Sequence, residues 1–287
     1  MNEEQRGGMV LEQGAGMEEG PYLWREELRV RSFEVGPRGT ICLPHLCLFL
    51  QEAAWNHAQR LGFGYSDMAA RDLLWVIFRM LVHIDRYPRW QEKIEILTWP
   101  SGMERLVAHR DFEVRDEAGH IIAAASSDWL ILDRERRQPQ AVAPIVGLRP
   151  EVLPLRRALG QRPRRIPSLP GPCQRSEFTV LLRDLDLQGH VNHTSYMEWI
   201  LDACPVEIHN QYLPVALEIN FLAESGPGQK LQVWTSRPVP SAGSIELFHQ
   251  VIRAQEGQEV CRARTLWRMA SPDSYSQYPG SLGHCPA

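Results

Sequence analysis

Apolar residues recur at helical spacing in one stretch of each half of the chain. The apolar positions are Leu46, Phe49, Leu50 and Ala53 in the first stretch and Tyr196, Trp199, Ile200 and Ala203 in the second. Spacings of three and four place such side chains on one buried face of a helix. Pro44 suits the first turn of a helix that we expect to reach Arg60. In the second stretch Asn192 or Thr194 can cap the helix, and Pro205 stops it.

Runs rich in β-branched and aromatic residues follow the first helix and predict strands. They cover residues 75–85, 93–100, 107–116 and 120–133 and are separated by turn-forming residues. In the first run, strict alternation would put Val76, Phe78, Met80, Val82 and Ile84 on one face, while Trp75 and Ile77 begin the other.

The two halves of the chain repeat one pattern. Residues 31–52 align without a gap on residues 181–202, with Gly39 on Gly189 and Glu52 on Asp202. Further along, Lys93 falls on Lys230, Gly119 on Gly257 and Trp129 on Trp267. Each half therefore predicts a short strand, a helix and several longer strands. The fold class that this pattern favours is α+β, with an antiparallel sheet around a central helix in each unit.

Composition divides the chain into five segments. Eight prolines fall within residues 138–175, which discourages both helix interiors and central strands. We therefore expect a Pro/Arg-rich linker at 141–174 between a unit at 23–140 and a unit at 175–270. The polar ends, residues 1–22 and 271–287, are expected to be disordered tails, the first of them acidic.

Charge and motif content exclude several classes of protein. The 287-residue chain has a formal net charge of −4, and its first twenty residues alone carry that charge. A near-neutral remainder argues against nucleic-acid binding. No apolar run approaches the roughly 18 residues of a membrane span, and no secretory or transit signal is recognisable, so we expect a cytoplasmic protein. Six scattered cysteines, read as buried thiols, and the absence of nucleotide-binding glycine loops indicate neither metal nor cofactor.

The densest group of polar residues is RDLDLQGHVNHTSY, just before the second helix. Asp186 and His190 supply a carboxylate and an imidazole next to a helix N-terminus, which can polarise a carbonyl group. Gly189 would allow a substrate to approach the backbone closely. The alternative is that the acidic residues merely shape a turn. The first half has Gly36 for Asp186 and Thr40 for His190. If these two side chains only supported the fold, both copies of the repeat should need them.

The segment DLDLQGHVNHTSYMEWILD resembles the active-site segment of hotdog-fold thioesterases. The first half resembles acyl-acyl carrier protein (acyl-ACP) thioesterases of plants and bacteria in its blocks RSFEVG, LQEAAWNHAQRLGFG, LLWVIFRMLVHIDRYPRW, DFEVRDEAGHII and SSDWLILDRERRQP. The similarity covers about residues 27–270. It implies a tandem hotdog protein whose two sheets join edge to edge, and hydrolysis of a fatty acyl thioester on the phosphopantetheine of acyl carrier protein. A homodimer is a further expectation.

The resemblance also implies site residues. The family's catalytic aspartate falls on Asp186, its histidine on His190 and its glutamate on Glu224, whose partner in the repeat is Tyr87. Gln188 occupies the family's asparagine position, and Asn192 is a nearby amide that could substitute for it. Without the resemblance, Glu224 could equally face solvent at the end of a strand.

Ser225 stands where many plant members carry a cysteine once considered the nucleophile, which weakens a thiol mechanism here. Asp186 could attack the thioester directly or act as a base on water. We expect His190 to bind the carbonyl region or assist proton transfer, and Glu224 to activate or position water.

The apolar strand of the first half is the candidate for binding the acyl chain. We expect Trp75, Phe78 and Met80 to line an apolar tunnel, although the strand could simply pack on its own helix. The arginines of the linker are Arg149, Arg156, Arg157, Arg162, Arg164 and Arg165. These could be a solvated linker or a patch that attracts an acidic carrier. RNA binding is less favoured, since no aromatic residues interleave with them.

Two other functions fit the same residues. An acyl-CoA thioesterase would share the pantetheine-linked substrate, because fold alone does not determine the carrier. A non-catalytic acyl-binding protein would explain the glutamine at position 188.

Overall fold

The computed structural model describes residues 20, 22–147, 156–169, 174–241 and 243–270. Its strands are β1 (Trp24–Arg29), β2 (Leu73–Ile84), β3 (Lys93–Met103), β4 (Val107–Asp116), β5 (Ile121–Asp133), β6 (Pro139–Gln140), β7 (Gln174–Thr179), β8 (Tyr212–Phe221), β9 (Lys230–Thr235), β10 (Val239–Ser241), β11 (Ser244–Arg253) and β12 (Glu259–Met269). Its helices are α1 (Leu43–Arg60), α2 (Tyr65–Ala69), α3 (Val142–Val146), α4 (His193–Asp202) and α5 (Val206–Gln211). The predicted tails fall outside the described residues, except for Gly20 and Tyr22.

The strands of both halves form one antiparallel sheet. Its order is β1-β3-β4-β5-β2-β8-β12-β11-β9-β7, with the short β6 paired to β5 and β10 to β11. The two units meet where β2 pairs with β8, from Arg79 opposite Asn220 to His83 opposite Ala216. This is the predicted tandem hotdog arrangement, in which two sheets join edge to edge.

The helices α1 and α4 pack against each other and share one apolar core with the sheet. Leu46, Leu50 and Ala53 are buried on α1, and Ile200 is buried on α4, as their helical spacing predicts. Burial of such a stripe, at about 25 cal/mol per Å² of apolar surface, is the main force that holds a helix on a sheet. The core is continuous across the join between the units.

Strand β2 departs from the predicted alternation. Ile77 pairs with Trp129 and Arg79 pairs with Asp128, so Phe78 is an extra residue in a β-bulge. One extra residue reverses the faces that follow it. Met80 is therefore 2% exposed within the core shared with the helices, rather than aligned with Phe78.

The described part of the predicted linker packs on the sheet through its apolar residues, while Arg157, Arg164 and Arg165 are exposed. Leu159 and Ile166 are buried, and Leu159 joins a small apolar cluster with Leu81 of β2. Asn220 of β8 accepts a hydrogen bond from the Ile166 N–H at 2.8 Å and donates one to the Arg164 carbonyl at 2.9 Å. These bonds replace the regular pairing that the prolines prevent.

Two smaller expectations can be compared with the structure. Val142 of α3 is buried against Phe63 and Met68 of the first unit, so the packed elements of that unit continue past residue 140. Of the six cysteines predicted to be buried thiols, Cys47, Cys204 and Cys261 are buried and Cys42 is half-buried, all as free thiols, and Cys173 and Cys285 lie outside the described residues. Burial raises the pKa of Cys47 and of Cys204 to about 12, which makes both unreactive as thiolates near neutrality.

Candidate active site

The loop before α4 is a tight turn organised by Asp186. The Asp186 N–H donates to the His190 carbonyl at 2.8 Å, and the Gly189 N–H donates to the Asp186 carbonyl at 3.0 Å. The side-chain Oδ1 of Asp186 accepts from the N–H groups of Gln188 at 2.8 Å and His190 at 3.3 Å. The second carboxylate oxygen, Oδ2, takes part in neither of these bonds.

The first half forms the same turn without a carboxylate. The Gly36 N–H donates to the Thr40 carbonyl at 3.0 Å, and the Gly39 N–H donates to the Gly36 carbonyl at 2.9 Å. An isolated bridge closes each loop, between Val35 and Ile41 and between Leu185 and Val191. The Asp186 side chain is therefore not required for the backbone path.

Glycine at position 189 is explained by this turn. Gly189 has φ 77° and Gly39 has φ 69°, a left-handed conformation that favours glycine in both halves. Gly189 is exposed and does not line the cavity described below. The structure thus gives it a conformational role and offers no support for the predicted contact with substrate.

The side chains of His190, Glu224 and Arg137 form a polar cluster at this loop. His190 Nδ1 is 3.3 Å from Oε2 of Glu224. The other carboxylate oxygen of Glu224, Oε1, pairs with the guanidinium of Arg137. All three side chains are roughly 40% exposed, so they remain accessible to a substrate. Glu224 therefore faces the site rather than solvent alone.

Two arginines of this cluster were missed by sequence analysis. Arg137 follows β5 in the first half, and its only sequence signal is that it lies in the resembling block SSDWLILDRERRQP. Arg253 ends β11 and donates to the Glu224 carbonyl, which holds the backbone of that residue. Neither arginine is near Glu224 in sequence, so only the folded chain reveals these contacts.

Electrostatics keep the imidazoles of the site neutral at pH 7. Burial lowers the pKa of His190 below its ordinary value of 6.5; Arg137 lowers it further, and Asp186 acts in the opposite direction. Burial alone lowers the pKa of His193 to about 4. His193 contacts the edge of Phe221, with ring centroids 6.0 Å apart, so it belongs to the apolar part of the site.

The amides and the serine have distinct surroundings. Oδ1 of Asn192 caps α4 by accepting from the Thr194 N–H at 3.1 Å and from its hydroxyl at 3.0 Å. The side-chain oxygen of Asn192 is thus already engaged in capping the helix. Both Gln188 and Asn192 line the cavity described below. Ser225 is 2% exposed and outside the cavity lining, a poor position for a nucleophile.

One cavity of about 960 Å³ connects the polar cluster to the apolar surface of the first half. From the second half it is lined by the polar side chains of Asp186, Gln188, His190, Asn192, His193 and Glu224, together with the more apolar residues Leu185, Leu187, Val191, Tyr196, Phe221, Leu222 and Ala223. From the first half it is lined mainly by apolar side chains of α1, α2, β2 and β5, among them Trp55, Met68, Trp75, Phe78 and Leu130. Of the three residues predicted to bind the acyl chain, Trp75 and Phe78 line this cavity. Met80 does not, because the bulge at Phe78 turns it into the core.

The arrangement suits acyl-group chemistry. A carboxylate, a neutral imidazole and a second carboxylate converge at one end of an apolar space of the size that binds small ligands. Among the described residues there is no group of three or more side chains arranged to bind a metal. No helix in the described part of the chain is long and apolar enough to cross a membrane.

Comparison with known families identifies the class of protein. Residues 21–146 match the model of the acyl-ACP thioesterase N-terminal domain, and residues 171–269 match that of the C-terminal domain. These two regions together cover most of the chain. The chain belongs to the acyl-ACP thioesterase family.

Individual relatives agree with this assignment. The chain is 30% identical to oleoyl-acyl carrier protein thioesterase 2 of Arabidopsis thaliana, over 90% of this chain and 80% of that one. It is 28% identical to an acyl-[acyl-carrier-protein] hydrolase of Cuphea viscosissima, of whose length it spans 63%. The crystal structure of an acyl-ACP thioesterase from Bacteroides thetaiotaomicron superposes with a TM-score of 0.75 at 26% identity, over 86% of this chain and 98% of that one.

Proposed function

We propose that this protein hydrolyses the thioester of fatty acyl-ACP, releasing a free fatty acid and the carrier with its free phosphopantetheine thiol. The observation that carries the proposal is the single cavity in which Asp186, His190 and Glu224 meet the apolar surface of the first half. An acyl thioester has the same two parts, a polar reacting carbonyl and a long apolar chain. The choice of acyl carrier protein as the carrier rests on the names of the relatives in the family.

In the mechanism that we propose, Asp186 is the primary reactive group. Its Oδ1 is held by two backbone N–H groups, which orient the carboxylate. Its other oxygen would attack the thioester carbon or remove a proton from an attacking water molecule. Attack on the carbon forms an anhydride and expels the thiolate; water then hydrolyses the anhydride and regenerates the carboxylate.

His190 and Glu224 would act as a pair. With its Nδ1–H donated to Glu224, the neutral imidazole would take up at Nε2 a proton that the attacking water molecule releases, and as an imidazolium it would pass that proton to the leaving thiolate. Its Nδ1 is 3.3 Å from Oε2 of Glu224, which would determine the tautomer and orient water. Gln188 would contact the substrate with an amide one methylene longer than the family's asparagine.

Release of free thiol and fatty acid from a panel of acyl-ACPs tests this function. The purified full chain is incubated with carriers of different acyl chain length, thiol release is measured, and the acids are identified by mass spectrometry. The same acyl groups on coenzyme A, at equal concentration, compare the two carriers. Faster hydrolysis of acyl-CoA would change the assigned substrate, and binding without thiol release would indicate an acyl-binding protein.

The route of attack is tested by a single turnover in ¹⁸O-labelled water. Label in the Asp186 carboxylate supports the anhydride route, because water attacks the acyl-enzyme intermediate after it forms. Label in the fatty acid alone fits both direct attack by water and hydrolysis of the anhydride at its acyl carbon, and trapping the acyl-enzyme with hydroxylamine, which only the anhydride route allows, separates these two.

Cytoplasmic location and a homodimer stay predictions from the sequence. The plant relatives are named as chloroplastic proteins, so fractionation of the source cells is the relevant measurement of location. Light scattering of the purified chain measures its mass in solution.

A further inference from the structure

Arg137 reaches from the first half of the molecule into the polar cluster of the second half. Its guanidinium pairs with Oε1 of Glu224, while Oε2 of the same carboxylate faces Nδ1 of His190 at 3.3 Å. Arg137 also lines the cavity. The Glu224 carboxylate is therefore held from one side by the first half and presented to His190 on the other.

The turn that carries Arg137 does not need an arginine. Arg137 has φ 56°, in the left-handed region that favours glycine or asparagine. The turn is closed by other groups: the Arg137 N–H donates to the Asp133 carbonyl at 2.9 Å. Oδ1 of Asp133 accepts from the N–H groups of Glu135 and Arg136. An arginine in an unfavourable backbone conformation points to a role for its side chain.

We infer that Arg137 is a positioning residue that completes the active site of the second half from the first. It holds Glu224 in the orientation that presents Oε2 to His190 and keeps the carboxylate out of alternative rotamers that its partial exposure would allow. This inference rests on the proposed function. It also means that the first half provides more than the wall of an acyl-chain cavity.

Arg137 also acts on His190 through its charge. The charged groups that face His190 are Asp186 on its own loop, Glu224 on the segment after β8, and Arg137 on the turn after β5. Removing the guanidinium takes away a positive charge and leaves Glu224 uncompensated. Both changes favour the imidazolium form, so the pKa of His190 should rise.

Substitutions at position 137 separate a positioning role from a structural one. Arg137→Gln should lower kcat by about 10- to 100-fold with KM changed by less than about threefold, because misplacement of Glu224 affects the reacting geometry. Arg137→Lys should restore part of kcat. Arg137→Gly should lower kcat as far as Arg137→Gln without lowering the melting temperature, because glycine suits the left-handed turn. Arg136→Gln, with the same charge change in the same turn, is the matched control.

The pKa of His190, measured by NMR titration, provides a readout that does not depend on turnover. It should be higher in Arg137→Gln than in the wild type and unchanged in Arg136→Gln. A wild-type protein without thiol release would refute the proposed function while the titration still tests the contact. Wild-type kcat in Arg137→Gly, or an unmoved His190 pKa in Arg137→Gln, would overturn the inference.

Discussion

The loops before α1 and α4 have the same backbone and different side chains. Both contain a left-handed glycine and an isolated bridge, and both hold an acidic side chain that accepts a hydrogen bond from the N–H three residues earlier. Glu34 accepts from Arg31 at 2.7 Å, and Asp184 accepts from Leu181 at 2.6 Å. The second loop alone adds Asp186 and His190. What the two loops share supports the fold, and what only one has is available for chemistry.

The same comparison extends to the residues that follow β2 in the first half and β8 in the second. Tyr87 occupies the position in the repeat that corresponds to Glu224, and its hydroxyl donates to the Pro214 carbonyl at 2.5 Å. Tyr87 is buried and structural, whereas Glu224 is half-exposed and paired with His190 and Arg137. The first half instead has the longer helix, Leu43–Arg60 against His193–Asp202, and its short second helix α2 lines the cavity, whereas α5 of the second half does not.

The largest expected effect on turnover comes from replacing Asp186 in the second loop by asparagine. Asp186→Asn should lower kcat by about 100-fold or more, because the amide still accepts both N–H groups but lacks the anionic oxygen. Its melting temperature should stay close to that of the wild type. Thiol release from acyl-ACP and thermal unfolding are the measurements.

Asp184→Asn is the matched control for that variant. It weakens a buried hydrogen bond that both halves need, so it should lower stability and leave the kcat of the folded enzyme nearly unchanged. If Asp184→Asn abolished turnover while Asp186→Asn retained it, the division between structural and chemical residues would be reversed.

The next effect concerns the chain length of the product. Phe78→Ala enlarges the cavity and should shift the released acids toward longer chains, by about fourfold in preference for each methylene, given about 0.8 kcal/mol per buried CH₂. The measurement is mass spectrometry of acids released from a mixture of acyl-ACPs. Met80→Leu and Trp234→Phe, both away from the cavity, should leave the product profile unchanged. A profile moved by these two and not by Phe78→Ala would contradict the assignment of the cavity.

A smaller effect is expected from the exposed arginines of the linker. Arg156 already pairs with the buried Glu113, whereas Arg164 and Arg165 are exposed on the segment packed against the sheet. If they attract an acidic carrier, raising the salt concentration should lower kcat/KM about two- to threefold, mainly through association. Changing Arg164 and Arg165 to glutamate should have the same effect, with hydrolysis of a small acyl thioester as control. Unchanged kcat/KM in both experiments would leave this segment a purely structural one.

The smallest effect is the response to pH. The pKa of His190 lies below 6.5 because of burial and Arg137, so the neutral imidazole predominates above that pH. If the neutral form is active, kcat/KM should change less than about twofold between pH 6.5 and 8 and fall only at lower pH. A kcat/KM that instead rises as the pH is lowered below 6.5 would show that the protonated form is required.

The helices, the strands and the repeat could be predicted from the sequence because they depend on local spacing. Periodicity located α1 to within one residue of its start, and turn residues separated β2 to β5 nearly where the structure has them. The presence of Asp186 and His190 in only one half of the chain could also be seen in the sequence, since it requires only that the two halves be aligned. Cap residues such as Asn192 are local for the same reason.

Only the tertiary structure determined which residues meet at the site. Arg137 and Glu224 come from different halves and meet because β2 pairs with β8, a contact that no local pattern encodes. The bulge at Phe78 depends on the register with β5, and it moved Met80 from the predicted tunnel into the core. Local spacing determines which face of a strand is apolar, but the partner of that strand determines where the face lies and which charges it meets.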